Sequence, residues 1–179
     1  MTYSILYCDP PWDYAGREQH SKKTETGSAL AHYPTMKLEE LKKLKIEDLA
    51  EKDALLFLWT SSPHLPQAID LMRSWGFEYK TIAFVWEKQR VNPGYYTMSQ
   101  VEICLVGKRK KGKIPSPRGS RNVHQFLSQM RTRHSEKPAE IRNRIGQMFP
   151  TQSKVELFAR QRAEGWDCWG NEVKSSLDL

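Results

Sequence analysis

The chain of 179 residues has no long apolar run. Its longest, Ala54 to Trp59, is six residues, against the roughly 20 that a membrane-spanning helix requires. The start, Met1-Thr2-Tyr3-Ser4-Ile5, lacks the basic-then-apolar order of a secretory signal. There are three cysteines, Cys8, Cys104 and Cys168, far apart and with no Cys-x-x-Cys. That argues against a disulfide framework or a zinc cluster, and no metal is expected. Internal repeats, low-complexity tracts and a Gly-x-Gly-x-x-Gly loop are also missing. With 39% hydrophobic and 27% charged residues, the composition is that of an ordinary globular protein. The expectation is a cytoplasmic, single-domain protein over residues 1–179, without a membrane.

What is present is a localised excess of positive charge. The net charge is +7. Between Glu87 and Arg133 there are eleven basic residues and two acids, a balance of +9, so the remainder of the chain is at −2. The stretch also holds Tyr95, Tyr96, Phe126 and breakers such as Pro93-Gly94, Pro115 and Pro117. Cations neutralise phosphates and rings stack on unpaired bases, so this segment suits a polyanion. A solvated surface loop is the alternative.

Ser4 to Cys8 reads as a strand stopped by Asp9-Pro10-Pro11, which cannot continue a ladder. Asp13 to Pro34 is polar and aperiodic and reads as a long loop. Lys37 to Glu51 reads as an amphipathic helix, Leu55 to Trp59 as a buried strand, and Leu65 to Trp75 as a helix capped by Gly76. Thr81–Trp86 and Val101–Val106 read as strands, Pro138 opens a helix stopped by Pro150, and Lys154–Ala159 is a final strand. Strands alternating with helices predict an α/β fold with helices on both faces of the sheet.

Cys8-Asp9-Pro10-Pro11-Trp12 follows the first strand directly, where open α/β sheets bind ligands. Asp-Pro-Pro-aromatic arises by chance in such a chain with probability on the order of 10⁻³. One reading is a rigid turn, because each proline locks φ and removes a donor. The other is an acceptor-only pocket: the Asp9 carboxylate, the Pro10 carbonyl and the flat face of Trp12. A planar exocyclic amine such as that of adenine fits it. Two acceptors gripping both N–H groups would aim the nitrogen lone pair at an electrophile. An aromatic face would replace the stacking that a flipped base loses.

The chain resembles the adenine-N6 methyltransferases that include the catalytic subunit of the eukaryotic messenger-RNA enzyme and small bacterial and phage relatives. After DPPW come His32-Tyr33-Pro34-Thr35-Met36, Leu56-Phe57-Leu58-Trp59, Trp75 to Thr81, Val85-Trp86-Glu87-Lys88 and Glu102 to Gly107. His134 to Pro138, Glu156 to Arg160 and Gly165 to Asn171 complete the resemblance. It implies a Rossmann-like, mostly parallel sheet with permuted motif order and S-adenosylmethionine as cofactor. Asp9, Pro10, Pro11 and Trp12 are then the catalytic residues. Lys137 would meet the methionine carboxylate. Cys8, Asp9, Glu156, Phe158, Arg160, Asn171 and Glu172 would surround the rest of the cofactor, with Phe158 to Arg160 standing in for a glycine-rich loop. Read singly, Lys137 could be plain charge before a helix and Glu156 a strand-edge residue. Trp166 and Trp169 read as packing.

Three departures accompany the resemblance. The segment upstream of DPPW in longer members is expected to be absent. Arg162-Ala163 stands where the messenger-RNA member has His-Asn, and Glu172 replaces a glutamine. The expected activity is methylation of adenine N6 in nucleic acid, DNA ahead of RNA. Tyr14, Tyr95, Tyr96, Lys108, Arg109, Lys110, Lys111, Arg118 and Arg121 would bind the nucleic acid, and a homodimer or pairing with a similar fold would help select sites. The rivals are a non-catalytic partner subunit of the same fold and a small-molecule amine methyltransferase. An intact Asp9 speaks against the first, and the basic segment against the second.

Overall fold

A computed structural model describes residues 1–13, 35–94, 96–131 and 136–179. The expected loop from Asp13 to Pro34, Tyr14 within it, and Tyr95 therefore lie almost wholly outside the described residues. Seven strands form one sheet: β1 (Tyr3–Cys8), β2 (Ala50–Thr60), β3 (Phe77–Asn92), β4 (Ser99–Arg109), β5 (Phe126–Ser128), β6 (Lys154–Leu157) and β7 (Asp167–Trp169). Their spatial order is β5-β3-β4-β2-β1-β6-β7. The pairs β1–β2, β1–β6, β6–β7 and β3–β5 are parallel, whereas β4 runs antiparallel to both β2 and β3. The sheet is thus mixed but mostly parallel, as expected of the Rossmann-like class.

Strand parity divides the core into two layers. Leu6, Cys8, Leu56 and Leu58 pack with Leu41 of α1 (Leu38–Lys43) and with Ala68, Leu71 and Met72 of α2 (Leu65–Ser74). Ile5, Tyr7, Leu55, Phe57 and Trp59 point the other way, onto Ile141 and Ile145 of α3 (Ala139–Met148). Each large side chain buried this fully contributes about 1.5–3 kcal/mol of burial free energy. Helices therefore cover both faces. Gly76 ends α2 at φ +79°, where an added Cβ would fall 2.5 Å from the Arg109 guanidinium. The Arg109 side chain can give way, so it is the positive φ that favours glycine here.

The helix expected over Lys37–Glu51 is corrected. It stops at Lys43, passes through a 3-10 turn at Ile46–Leu49, and gives way to β2 at Ala50. Leu41 and Ile46 are both fully buried, yet five positions apart on one helix they would point about 140° from each other. Breaking the helix lets both face the core. Strands β3 and β4 extend beyond the apolar runs that announced them, because their outer halves form a hairpin whose residues are largely exposed. The sequence reading contained neither β5 nor β7, each three residues long and too short to display alternation.

Candidate active site

From β1 the chain leaves through α1 to β2 on one side, and β6 on the other side is reached through α3 on the opposite face. The connections diverge at the carboxyl end of β1, which is the crevice where such sheets hold ligands. Asp9 stands there. Its Oδ2 accepts a hydrogen bond from Lys137 Nζ at 2.8 Å. Lys137 lies just before α3 and also meets Glu102 Oε2 of β4 at 3.2 Å. The opposite oxygen of Glu102 meets Lys88 Nζ of β3, also at 3.2 Å. Charges of alternating sign thus run Asp9, Lys137, Glu102, Lys88, all with side chains less than a quarter exposed.

Burial alone would discharge Asp9, Lys137 and Glu102. It pushes the Asp9 carboxyl above the usual carboxylate range, with Lys137 pulling it back and Glu102 adding to the rise. Burial likewise lowers Lys137, but Asp9 and Glu102 more than offset it and hold the ammonium well above the ordinary lysine value. For Glu102 the rise from burial is overcome by Lys137 and Lys88, which keep it below its ordinary value. The ring of Trp59 lies beneath Lys137 at 5.7 Å, adding a cation–π contact. Trp59 Nε1 in turn donates to the buried Tyr7 hydroxyl at 2.7 Å.

The prolines after Asp9 make a tight turn, in which the Pro10 carbonyl accepts the Trp12 N–H at 2.9 Å. Pro11 O accepts from Met36 N–H at 2.8 Å and ties the turn to the strand-like bridge at Met36. Trp12 is only 7% exposed. Its Nε1 donates to Trp59 O at 3.2 Å, and its ring stacks on His64 with centroids 6.0 Å apart. As the structure stands, Trp12 braces the turn.

A cleft beside Asp9 and Lys137 is lined by Tyr7, Glu136, Arg142, Glu156, Phe158, Arg160 and Gln161. Arg142 Nη1 meets Glu156 Oε2 at 2.6 Å, so Glu156 is committed to an ion pair on one side. Burial raises the Glu156 carboxyl, against the pull of Arg142. Phe158 closes β6 at φ +60°, an outlier for a bulky side chain and a common mark of functional sites. The backbone of Gly170 approaches that turn so closely that a Cβ would lie 2.3 Å from Ala159 O. Asn171 and Glu172 follow it in an exposed turn, with Glu172 Oε1 3.8 Å from Arg160 Nε.

The structure therefore brings together Asp9, Pro10, Pro11, Trp12, Lys137, Glu156, Phe158, Arg160 and, at the rim, Glu172. Two sets of expected site residues stand apart from this group. The Cys8 side chain is fully buried in the α2-side core, so only its backbone faces the crevice. The basic turn carrying Lys108, Arg109, Lys110 and Lys111 is at the opposite end of the sheet. Antiparallel β4 pairs Lys108 with Leu55, near the start of the parallel strands, and Ile103 with Thr60 at their carboxyl ends. At about 3.3 Å per residue, that reversal carries the turn well away from Asp9. Arg118 and Arg121 share the far end, because neighbouring Gly119 and Ser120 donate to Met148 O and Gln147 O at the end of α3. On the Asp9 side the hairpin presents Arg90 and the fully exposed Tyr96.

Sequence reading did not single out Lys88, Arg142 or the site role of Glu102. For Glu102 a signal existed: an acid in the otherwise apolar strand Val101–Val106. Among the described residues no cluster of His, Cys, Asp and Glu could hold a metal, and no helix is long and apolar enough to cross a membrane.

Comparison with known proteins bears on this geometry. The chain is 49% identical over 183 aligned positions to the Type II methyltransferase M.MunI of a Mycoplasma species, covering 96% of this chain and 78% of that protein. It is 28% identical to an Arabidopsis thaliana N(6)-adenosine-methyltransferase MT-A70-like protein, of which it spans 24%. It is 25% identical to the mouse N(6)-adenine-specific methyltransferase METTL4, of which it spans 38%. The MT-A70 family model matches residues 3–172, from the first strand through the turn after β7, and the chain belongs to the MT-A70 family.

Proposed function

We propose that this chain transfers a methyl group to N6 of adenine in DNA. The observation that carries the reading is Asp9 at the carboxyl end of β1, with an adjacent backbone acceptor at Pro10 and a buried ammonium on its Oδ2. An aniline-like amine is a weak nucleophile because its lone pair is shared with the ring. Lys137 occupies Oδ2, so Asp9 Oδ1 and the second lone pair of Pro10 O are the acceptors assigned to the two N–H groups. Gripping both turns the nitrogen lone pair out of the ring plane and fixes its direction. Asp9 is also placed to accept the proton that the methylated nitrogen releases. The Trp12 ring, stacked on His64 in this structure, is the aromatic face assigned to the base.

Methyltransferases in general draw on S-adenosylmethionine, which when bound supplies a sulfonium-activated methyl. The cleft fits that group. An ammonium at Lys137 and a guanidinium at Arg160 suit a carboxylate and ribose hydroxyls, and Glu156 in the cleft with Glu172 at its rim supply acceptors. Asn171 would complete the adenosine end. DNA is assigned ahead of RNA because the Mycoplasma relative, a Type II methyltransferase, is matched over most of its length. A homodimer belongs to the same proposal, and exposed Phe126 and Met130 at the β5 edge are apolar groups that a second copy would cover.

Incubation of the full chain with methyl-labelled S-adenosylmethionine and either DNA or RNA, followed by digestion to nucleosides, tests the reading. Label in N6-methyldeoxyadenosine is the expected result. Label only in the ribonucleoside moves the substrate to RNA. No label, together with no calorimetric binding of the cofactor, replaces the enzyme with a non-catalytic partner subunit.

A further inference from the structure

Lys88 has no role in the site as derived so far, yet it ends the buried charge chain. The parity of β3 places it on the α3 face with Trp86, which pairs directly with Glu102 across the strands. Regular pairing stops immediately beyond. From Glu87 to Asn92 the register slips against Val101 to Ser99, so β3 carries extra residues there. Gln89, next to Lys88, adopts φ +52°, which is uncommon for a residue with a side chain.

The bulge is built by specific bonds. Glu87 Oε1 accepts the Gln89 N–H at 2.7 Å, and its Oε2 accepts the Ser128 hydroxyl at 2.6 Å. Gln89 Nε2 donates to Ser128 Oγ at 3.0 Å, and Gln129 N–H donates to Glu87 O at 3.0 Å. Bulges commonly re-aim a side chain beside an active site. Here the side chain is Lys88, 13% exposed, on Glu102 Oε1 at 3.2 Å.

We propose that Lys88 is a positioning residue of the methyl-transfer site, holding Glu102 in place so that Lys137 stays on Asp9. The inference rests on the reading of Asp9 as the residue that grips the target amine. Its physics is charge balance. Two ammoniums and two carboxylates occupy one poorly hydrated patch. Without Lys88, Asp9 and Glu102 share the single cation Lys137, and like-charge repulsion favours a proton on one of them.

The other ionisable groups around Asp9 are Tyr7 and Cys8 on β1, Cys104 on β4, Glu156 on β6, and Arg160 just beyond it. Among the described residues Lys88 pairs with Glu102, and Glu102 with Lys137, so the influence of Lys88 on Asp9 passes through that carboxylate.

The experiment uses the full chain with Lys88→Met and Lys88→Arg. The pH dependence of kcat/KM is measured on DNA. The Asp9 carboxyl is titrated by ¹³C NMR in aspartate-labelled protein with no substrate present. Lys88→Met is expected to move the acid limb, and the Asp9 titration with it, upward by about one pH unit. Below the new limb kcat falls about tenfold while KM for DNA changes less than about twofold. Lys88→Arg restores both. An unmoved acid limb and an unmoved Asp9 titration in folded Lys88→Met overturn the proposal. If Lys88→Met fails to fold, Lys88→Gln carries the same expectation and the same refutation. Absence of adenine-N6 methylation by the unmodified chain would remove the functional reading alone, because the NMR titration still reports whether Lys88 governs Asp9.

Discussion

The two ends of the sheet use charge in opposite ways. At the carboxyl end of β1 a few charges of alternating sign are drawn out of water and tied to one another: Asp9, Lys137, Glu102 and Lys88. At the far end the last residues of β4, Lys108 and Arg109, and the turn after it carry five basic side chains, of which Lys110, Lys111 and Lys113 are exposed. Arg109 rests over Phe77, and Lys108 bonds the Gly112 carbonyl. Charge density along the sequence points to the second region, whereas charge that has been desolvated points to the first. Chemistry needs the latter, because a charge in water is screened and one in a dry, preorganised patch is not.

The most severe way to break this comparison is Asp9→Asn. The substitution keeps the shape and removes the charge, so one acceptor of the amine becomes an amide and Lys137 loses its nearer partner. A fall of about 10³-fold in kcat is expected, in line with removal of a preorganised group from a reacting centre. Binding of DNA should change little. Activity within tenfold of the unmodified chain would show that the amine is held elsewhere.

Next in size is Lys137→Met, read in stability. It leaves Asp9 and Glu102 buried without their shared cation, a loss of about 3–5 kcal/mol at pH 8. The sign with pH follows from the shifts. Lys137, raised, stabilises the fold at all pH values below the ordinary lysine value of 10.5 and loses that contribution only as pH rises through its folded value. Glu102, lowered, contributes above its ordinary 4.5 and loses this as pH falls through its folded value. Asp9, raised by burial, adds a cost that builds up as pH rises from its ordinary 3.8 through its folded value and remains in full above it. In Lys137→Met both carboxyls take up protons readily, so urea titrations should show the gap to the unmodified chain shrinking from pH 8 towards pH 4. A gap of equal size at both pH values would mean that packing over Trp59, not charge, is what Lys137 supplies.

Much of the first region is legible in the sequence. Asp9-Pro10-Pro11-Trp12 stood out because two prolines after an apolar run have few structural uses, and alternation of strands and helices implied the crevice that holds them. The ion chain was not legible. Lys137 and Asp9 are 128 positions apart, and no spacing links them until α3 returns the chain to β1. The Lys37–Glu51 helix misled because leucines at near-helical intervals satisfy a periodicity that burial of Ile46 then overrides. The position of the basic turn was hidden for a topological reason. A segment of one sign reads as one surface, but β4 runs antiparallel and delivers its two halves to opposite ends of the sheet.

The smallest effect expected is also the sharpest test of that separation. Neutralising Lys108, Lys110, Lys111 and Lys113 to glutamine removes four positive charges from the far end. On a 12-base-pair duplex centred on the target, about 40 Å long at 3.4 Å per step, both kcat and KM should stay within about twofold. The slope of log affinity against log salt should change by less than one. DNA stiff over about 150 base pairs does not bend around a sheet to meet both ends. Tyr96→Ala on the hairpin is the contrast. It removes one stacking platform from the Asp9 side and should weaken binding of the same duplex by about 1–3 kcal/mol. A steep loss of salt dependence in the fourfold variant, with Tyr96→Ala silent, would reverse the assignment. The far end would then be the DNA-facing one, and Asp9 would have to receive its base from a molecule bound across the opposite rim.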